Sequence, residues 1–313
     1  MAKAIQHTEL GGPEVLTLAD VPDPVPGPGE VAIRVEAAGV NPVEWKLRTG
    51  LRPTPPITEP RRVGSDGAGH ITAVGADVDG FRVGDPVAFT GAQGAYATDV
   101  VAPADHVFAR PAGVTAAQGA ALGIPIGTAY QALRSLGVRA DDTLLVHGGS
   151  GAVGQAVIQF AVLAGARVIA TTSDARADRV RGLGGEPVAY GPGLVDRVRA
   201  LAPHGPTVIL DAVGTDEALH ASLELLDDRT RIATLVQGAK ADALGIRAFS
   251  GGSPRPLTPQ QEAWRLEAVP VALALLAAGR FSVEIGEALP LAEAPQAHRL
   301  VEEGANGKVL LIP

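Results

Sequence analysis

Residues 143 to 166 read "TLLVHGGSGAVGQAVIQFAVLAGA". A short apolar run stops on clustered glycines and passes directly into an alanine-rich stretch of helical length. Few folds tolerate such a junction. Glycine loses more conformational freedom on folding than any other residue, so a cluster of it needs a reason. Gly149-Ser150-Gly151-Ala152-Val153-Gly154 fits G-x-G-x-x-G. Glycine is abundant here, at 39 residues, so the pattern alone is weak. Its place between an expected strand and an expected helix gives it meaning. There Gly149 allows a sharp turn, Gly151 lets backbone amides approach a pyrophosphate, and Gly154 lets the helix pack closely. The first-turn N–H groups and the positive end of the helix dipole then face an anion. The junction predicts a dinucleotide site.

The next strand, "RVIATT", ends in Thr172. An NAD site usually carries an acidic residue there, gripping the ribose 2′-hydroxyl. Thr172 and Ser173 offer hydroxyls instead, and Arg176 and Arg179 follow. Guanidinium groups suit a 2′-phosphate, so NADPH is expected over NADH. Asp174 is the opposing signal.

From Gly123 onward, "TLLVH", "RVIATT", "TVILDA" and "RIATLV" alternate with helical stretches. Nearly continuous apolar strands belong in a parallel sheet covered on both faces. In the first helix, Val153, Val157, Phe160 and Ala164 fall on one face. Before Gly123 the chain is different. "GEVAIRVEAAG" alternates with period two, and "GPGE", "DVDGF" and "VGDPV" mark turns. The terminal "KVLLI" reads as a strand that returns to this first region. The fold class is α/β: a β-barrel domain over 1–122 and 280–313, and a doubly wound dinucleotide-binding domain over 123–279. Gln237 to Pro259 reads as a long loop, which often carries function.

Net charge is −8, with scattered arginines and no basic block, which disfavours nucleic acid. The longest apolar stretch, "AVPVALALLAAG" from Ala268, is too short to span a bilayer and holds Pro270. The start has no signal-peptide pattern, and cysteine is absent, which removes thiolate ligands and disulfides. A cytoplasmic protein with a small-molecule substrate is expected.

The blocks "AAGVNPVEWKLRTG", "VGSDGAGHITAVGADVDGFRVGDPV", "GAYATDVVAPADHV", "GIPIGTAYQAL", "LLVHGGSGAVGQ", "LDAVG" and "GKVLL" run in this order along nearly the whole chain. The chain thereby resembles the zinc-independent quinone oxidoreductases of the medium-chain dehydrogenase/reductase superfamily. The resemblance implies a GroES-like barrel domain, a Rossmann domain and a substrate cleft, commonly in a homodimer. It also sets the positions where zinc-dependent relatives hold metal against Asn41, Ser65 and Ile124 here. None of these is a usual zinc ligand, so no metal is expected. His147, just before the glycines, is expected to pack.

What the resemblance implies is hydride transfer from NADPH to a quinone or to a double bond conjugated with a carbonyl. The protein must orient the pair and stabilise the oxygen that takes up charge. Asn41, whose amide can donate, is the first catalytic candidate, with Trp45 to stack an acceptor and Lys46 to assist the oxygen. Asp66 stands where zinc relatives have glutamate. Many quinone oxidoreductases carry tyrosine where Lys46 stands, which puts a simple quinone in doubt. On the cofactor side the resemblance points to Thr128, Tyr190, Val213, Leu235, Val236, Phe249, Gly251 and Lys308. Two other readings remain open: a specialised-metabolite enone or enoyl reductase, and a non-catalytic NADPH-binding sensor.

Overall fold

The computed structural model describes residues 1–249, 253 and 255–313. From the N-terminus come β1 (Ala2–His7), β2 (Thr17–Val21), β3 (Glu30–Gly39), α1 (Pro42–Arg48), β4 (Arg61–Arg62), β5 (Asp66–Val74), β6 (Pro86–Phe89), β7 (Asp99–Pro103), β8 (Val107–Ala109), α2 (Ala116–Ala120) and α3 (Gly123–Leu136). Strands and helices then alternate: β9 (Thr143–His147), α4 (Ala152–Leu163), β10 (Arg167–Thr172), α5 (Ala177–Gly182), β11 (Glu186–Ala189), α6 (Leu194–Leu201), β12 (Val208–Asp211), α7 (Asp216–Leu225), β13 (Ile232–Thr234), α8 (Gly238–Leu244) and β14 (Arg247–Ala248). The chain ends with α9 (Pro259–Ala277), β15 (Ile285–Pro290), α10 (Ala294–Glu302) and β16 (Lys308–Ile312). By internal packing it divides into Met1–Ile124 with Val269–Pro313, and Pro125–Ala268, so the divisions fall inside α3 and α9.

In the first unit β3 is the hub. It pairs antiparallel with β5, β7 and β16. Val31, Ile33 and Val35 are buried as the alternation predicts, but Ala32, Ala37 and Ala38 are buried as well, so the period of two is incomplete. A second sheet runs β2-β1-β4. Val31, Ile33, Ile71, Val87, Phe89, Tyr96 and Leu311 share one apolar core. The terminal strand β16 pairs with β3, so the expected return of "KVLLI" is observed. Glycine at 39 is required by this closure. A Cβ there would lie 2.2 Å from the Ala120 carbonyl and 2.8 Å from Lys308 Cε.

The second unit is a parallel sheet in the order β11-β10-β9-β12-β13-β14, in which the order of strand addition reverses at β9. Leu144, Leu145, Val146, Ile209 and Leu210 are essentially inaccessible, which explains their unbroken apolar runs. The helix α4 differs from its expected single face. Residues Gly154 to Ala161 are buried all round it, whereas Ala164, placed on the apolar face by periodicity, is exposed. Neighbours cover α4 on more than one side, the edge of the Phe160 ring meeting Tyr130 of α3 at 5.2 Å. The expected loop after Gln237 also differs. It contains α8, closed by Gly245 in the left-handed region (φ +69°), and the short strand β14. "GAKADALG" has good helix formers and a glycine stop, a signal that the surrounding glycines and prolines obscure.

Candidate functional site

The glycine junction forms as the sequence predicts, but its glycines divide the work differently. The sharp turn is made by Gly148, at φ +86°. Gly149 instead makes room for β10, since a Cβ would come within 2.5 Å of Ala170 Cβ. Gly154 packs on the turn itself, where a Cβ would lie 2.1 Å from the Gly148 carbonyl oxygen. Gly151, the N-cap of α4, is the exception. Its backbone is extended (φ −75°, ψ 164°), and a Cβ would meet only the Gly148 oxygen at 3.6 Å. Nothing in the fold forbids a side chain there, so the bare backbone keeps space for something else. Ser150 is half-buried, Ala152 exposed and Val153 half-buried around it. The turn is rigid. Gly148 N–H donates to Thr171 Oγ1 at 3.0 Å, and Gln155 Nε2 donates to the Ser150 carbonyl at 2.8 Å.

Beside this turn lies a cavity of about 360 Å³, lined by Gly148, Ser150, Thr172, Tyr190, Val213 and Thr215 among others. Thr172 Oγ1 is buried there without a hydrogen-bond partner. An orphaned hydroxyl facing a cavity is costly unless a ligand completes it. Tyr190 and Val213 are exposed on the cavity wall. Ser173 and Arg176 are half-buried just past Thr172, while Arg179 Nε donates to Gln155 Oε1 at 2.9 Å. The opposing Asp174 is exposed.

His147 also borders the cavity. Its Nε2 lies 3.1 Å from Ser222 Oγ, and burial pulls its pKa down to about 4, so it is neutral at physiological pH. Asp211, fully buried, accepts from Val213 and Gly214 N–H groups and from Thr234 Oγ1. It fixes the carboxyl ends of β12 and β13, a role that the quoted block "LDAVG" did not reveal. Leu235 is buried, and half-buried Val236 fits against Gly214, whose Cβ would clash with Val236 Cγ1 at 2.6 Å. Phe249 is buried with the Arg247 guanidinium 4.9 Å above its ring. Thr128 is buried in α3, with Arg265 Nη2 at 3.4 Å from its hydroxyl. Gly251 lies outside the described residues.

In the first unit one catalytic candidate, Asn41, falls into a buried polar network. Asn41 caps α1 and is 1% exposed. Its Nδ2 donates to Asp66 Oδ2 at 2.9 Å and to Glu44 Oε1 at 3.2 Å. Its Oδ1 accepts from the Lys308 ammonium, and its backbone N–H donates to Glu44 Oε2. The amide expected to donate to substrate is therefore already engaged. Tyr96 O–H donates to Glu44 Oε2 at 2.8 Å, and Thr90 Oγ1 donates to Asp66 Oδ1 at 2.8 Å. Asp66 Oδ2 also accepts the Ile124 N–H at 2.8 Å. Burial raises the Glu44 pKa to about 7, against the lowering pull of Lys308. Burial lowers that of Lys308, against the carboxylates beside it. Lys308, expected beside the cofactor, thus has its ammonium committed to Asn41.

Trp45 and Lys46 sit on another side of α1. Both are half-buried, and the Lys46 ammonium stands 5.6 Å from the Trp45 ring centre. Burial, reinforced by Arg52, lowers the Lys46 pKa. Tyr96 and Thr90 escaped sequence reasoning, because the stretches "GAYATD" and "AFTGAQ" gave no hint of which residues they face.

The models of two known families match the chain. "Alcohol dehydrogenase GroES-like domain" covers residues 27–112, and "Zinc-binding dehydrogenase" covers 152–249. A quinone oxidoreductase of Pseudomonas aeruginosa is 33% identical over 335 residues, spanning all of both chains. The mouse quinone oxidoreductase is 33% identical over 332 residues, covering 100% of this chain and 98% of its own. The Escherichia coli quinone oxidoreductase, solved in complex with NADPH, superimposes with a TM-score of 0.85 at 26% identity, covering 99% of this chain and 100% of its own. With full-length matches of this strength over a GroES-like and a Rossmann-type half, the chain belongs to the quinone oxidoreductase family of the medium-chain dehydrogenase/reductase superfamily.

Proposed function

We propose that this protein is an NADPH-dependent oxidoreductase that reduces a quinone or an α,β-unsaturated carbonyl without a metal. The space left by Gly151 and the orphaned Thr172 hydroxyl support the cofactor half of this reading. Ser150 to Gly154 would hold the pyrophosphate at the start of α4, and Thr172, Ser173, Arg176 and Tyr190 the adenosine 2′-phosphate. Val213, Leu235, Val236 and Thr128 would border the rest. NADPH, when bound, supplies the hydride.

The observation that carries the metal-free half is the Lys308 ammonium on Asn41 Oδ1. The residues at the three ligand positions do not fit zinc. Asn41 has its oxygen and both amide hydrogens in use, Ile124 offers a donating N–H, and Ser65 is a hydroxyl. A cation would also meet a resident ammonium. In this reading Asn41 is a positioning residue that orients Lys308 between two carboxylates. The carboxylates balance that charge, so the negative charge developing on an acceptor oxygen needs another donor. Lys46, with its lowered pKa, is the proposed donor to that oxygen, and Trp45 the proposed surface for a flat acceptor.

The test is NADPH oxidation with 1,4-naphthoquinone, a 2-alkenal and an enoyl thioester, on enzyme whose metal content is measured. Turnover of the quinone or alkenal by metal-free protein is the expected result. Preference for the thioester would favour a specialised double-bond reductase. Tight NADPH binding without any turnover would favour a sensor.

A further inference from the structure

A second cavity lies wholly within the first unit. It measures about 550 Å³ and is bordered by His7, Glu44, Arg48, Arg61, Arg62 and Gly94 among others. That volume suits a small organic ligand. Its chemistry is unusual for the inside of an acidic protein. Three arginines and a single acidic residue, Glu44, line it, and the Glu44 carboxyl group is already occupied with Asn41 and Tyr96.

Arg48 is 1% exposed. Its Nη2 pairs with Glu302, but Nε and Nη1 are buried without a hydrogen-bond partner. A buried guanidinium left two donors short is expensive. Arg61 is held by neutral groups, donating to Thr54 Oγ1 and to the Pro55 carbonyl. Arg62 makes no ion pair or side-chain hydrogen bond among the described residues. The backbone of both is fixed by β4, whose residues pair with Gln6 and His7 of β1. Gly94 keeps the space for the Arg62 stem, since a Cβ would lie 2.6 Å from Arg62 Cβ. The backbone and the Arg62 stem are thus set before any ligand enters, and a guanidinium group matches an oxyanion.

We propose that this cavity binds an oxyanionic substituent of the acceptor, a carboxylate or a sulfonate, so that the substrate is an acidic quinone or enone. The proposal rests on the oxidoreductase reading above. The link between the two is Glu44, which forms a wall of the cavity and carries the Asn41–Lys308 pair on its other contacts. In this reading the oxyanionic substituent lies against that wall, and the ring is left to Trp45 and Lys46 of the same helix.

Two measurements on the full chain test it. The first is binding of 2-naphthoate, a non-reducible aryl carboxylate, by calorimetry to wild type, Arg62→Gln and Arg61→Gln. Both positions are half-buried at the cavity edge, so the variants keep the fold, which a melt verifies. Each is expected to weaken binding about tenfold, the loss of one charge-assisted hydrogen bond. The second is NADPH-dependent reduction of 1,4-naphthoquinone and of its 2-sulfonate. Wild type is expected to show the lower KM for the sulfonate. Arg62→Gln should raise that KM about tenfold while leaving kcat and the KM for the neutral quinone within about twofold. Naphthoate binding that neither variant weakens overturns the site. Arginine-dependent naphthoate binding with no preference for the sulfonate overturns the assignment to the acceptor. Arginine-dependent binding with no acceptor reduced at all overturns the oxidoreductase reading, and with it the acceptor assignment, leaving the oxyanion site itself.

Discussion

Two glycines three positions apart do opposite things. Gly154 is demanded by the fold, because its Cβ would sit 2.1 Å from the Gly148 oxygen. Gly151 has no such constraint. Gly154→Ala is therefore expected to lower stability by about 1–3 kcal/mol, the usual cost of overpacking, in a denaturant melt. Gly151→Val should melt as wild type yet lose NADPH affinity by 100-fold or more, roughly the same overpacking cost moved onto the ligand. A variant that still binds NADPH with wild-type affinity would show that nothing needs the space at Gly151. At Arg176 the expectation is selective. Arg176→Ala should weaken NADPH binding about ten- to a hundredfold and NADH hardly at all, by fluorescence titration. Equal losses would move the 2′-phosphate contact to Arg179 or Tyr190. The motif was readable because spacing and context name it. Which glycine serves the fold and which serves the ligand was not, since that depends on atoms from β10 and the turn.

At the scale of elements, α1, β5 and β16 meet through side chains rather than backbone. Asn41 and Glu44 come from α1, Asp66 from β5 and Lys308 from β16, 267 positions beyond Asn41. Such a cluster stands or falls together. Lys308→Met keeps the stem but leaves two buried carboxyl groups without their cation. It is expected to destabilise the protein by about 3–5 kcal/mol, as broken buried pairs do, with a smaller loss below pH 7 where Glu44 takes up a proton. Chemical denaturation at pH 8 and pH 5 measures this, and an equal loss at both would show that Glu44 does not carry the charge. Of these elements the sequence named only β16, from "KVLLI"; α1 went unread, although Asn41 before Pro42 with Glu44 three positions on is a helix-start signal. The network was not legible, because no local pattern ties "GKVLL" to "NPVE".

Over the whole molecule, buried ionisable groups set how acid acts on each half. In the first unit burial raises Glu44 to about 7, while His298, with burial and the nearby Arg48 opposing its charge, falls to about 3. A carboxyl group raised on folding loses stability as pH climbs from its ordinary 4.5 to about 7. A histidine lowered on folding loses it as pH drops from 6.5 toward 3. Between about pH 6.5 and 4.5 the two offset each other at roughly 1.4 kcal/mol per unit each. In the second unit His147, lowered by burial to about 4, works in the histidine direction. That half should therefore loosen first as pH falls through 6. Limited proteolysis across this range is expected to cut within Pro125–Ala268 before the remainder. Glu44→Gln removes the offset and should bring the first unit into step, and unchanged order in that variant would refute the compensation. No helix among the described residues is long and apolar enough to cross a membrane. What the sequence alone determined is whatever its own periodicities encode: a parallel sheet from unbroken apolar runs, a β-rich region from alternation, and a phosphate cradle from glycines at a strand–helix junction. These are local, so neighbours along the chain suffice to specify them. Only the tertiary structure decided that Asn41 is already hydrogen-bonded, that an ammonium from the last strand stands beside it, and that Arg48 is two partners short. Those facts depend on which distant side chains share a desolvated space, where an unpaired charge or donor becomes costly, and no spacing along the chain records that.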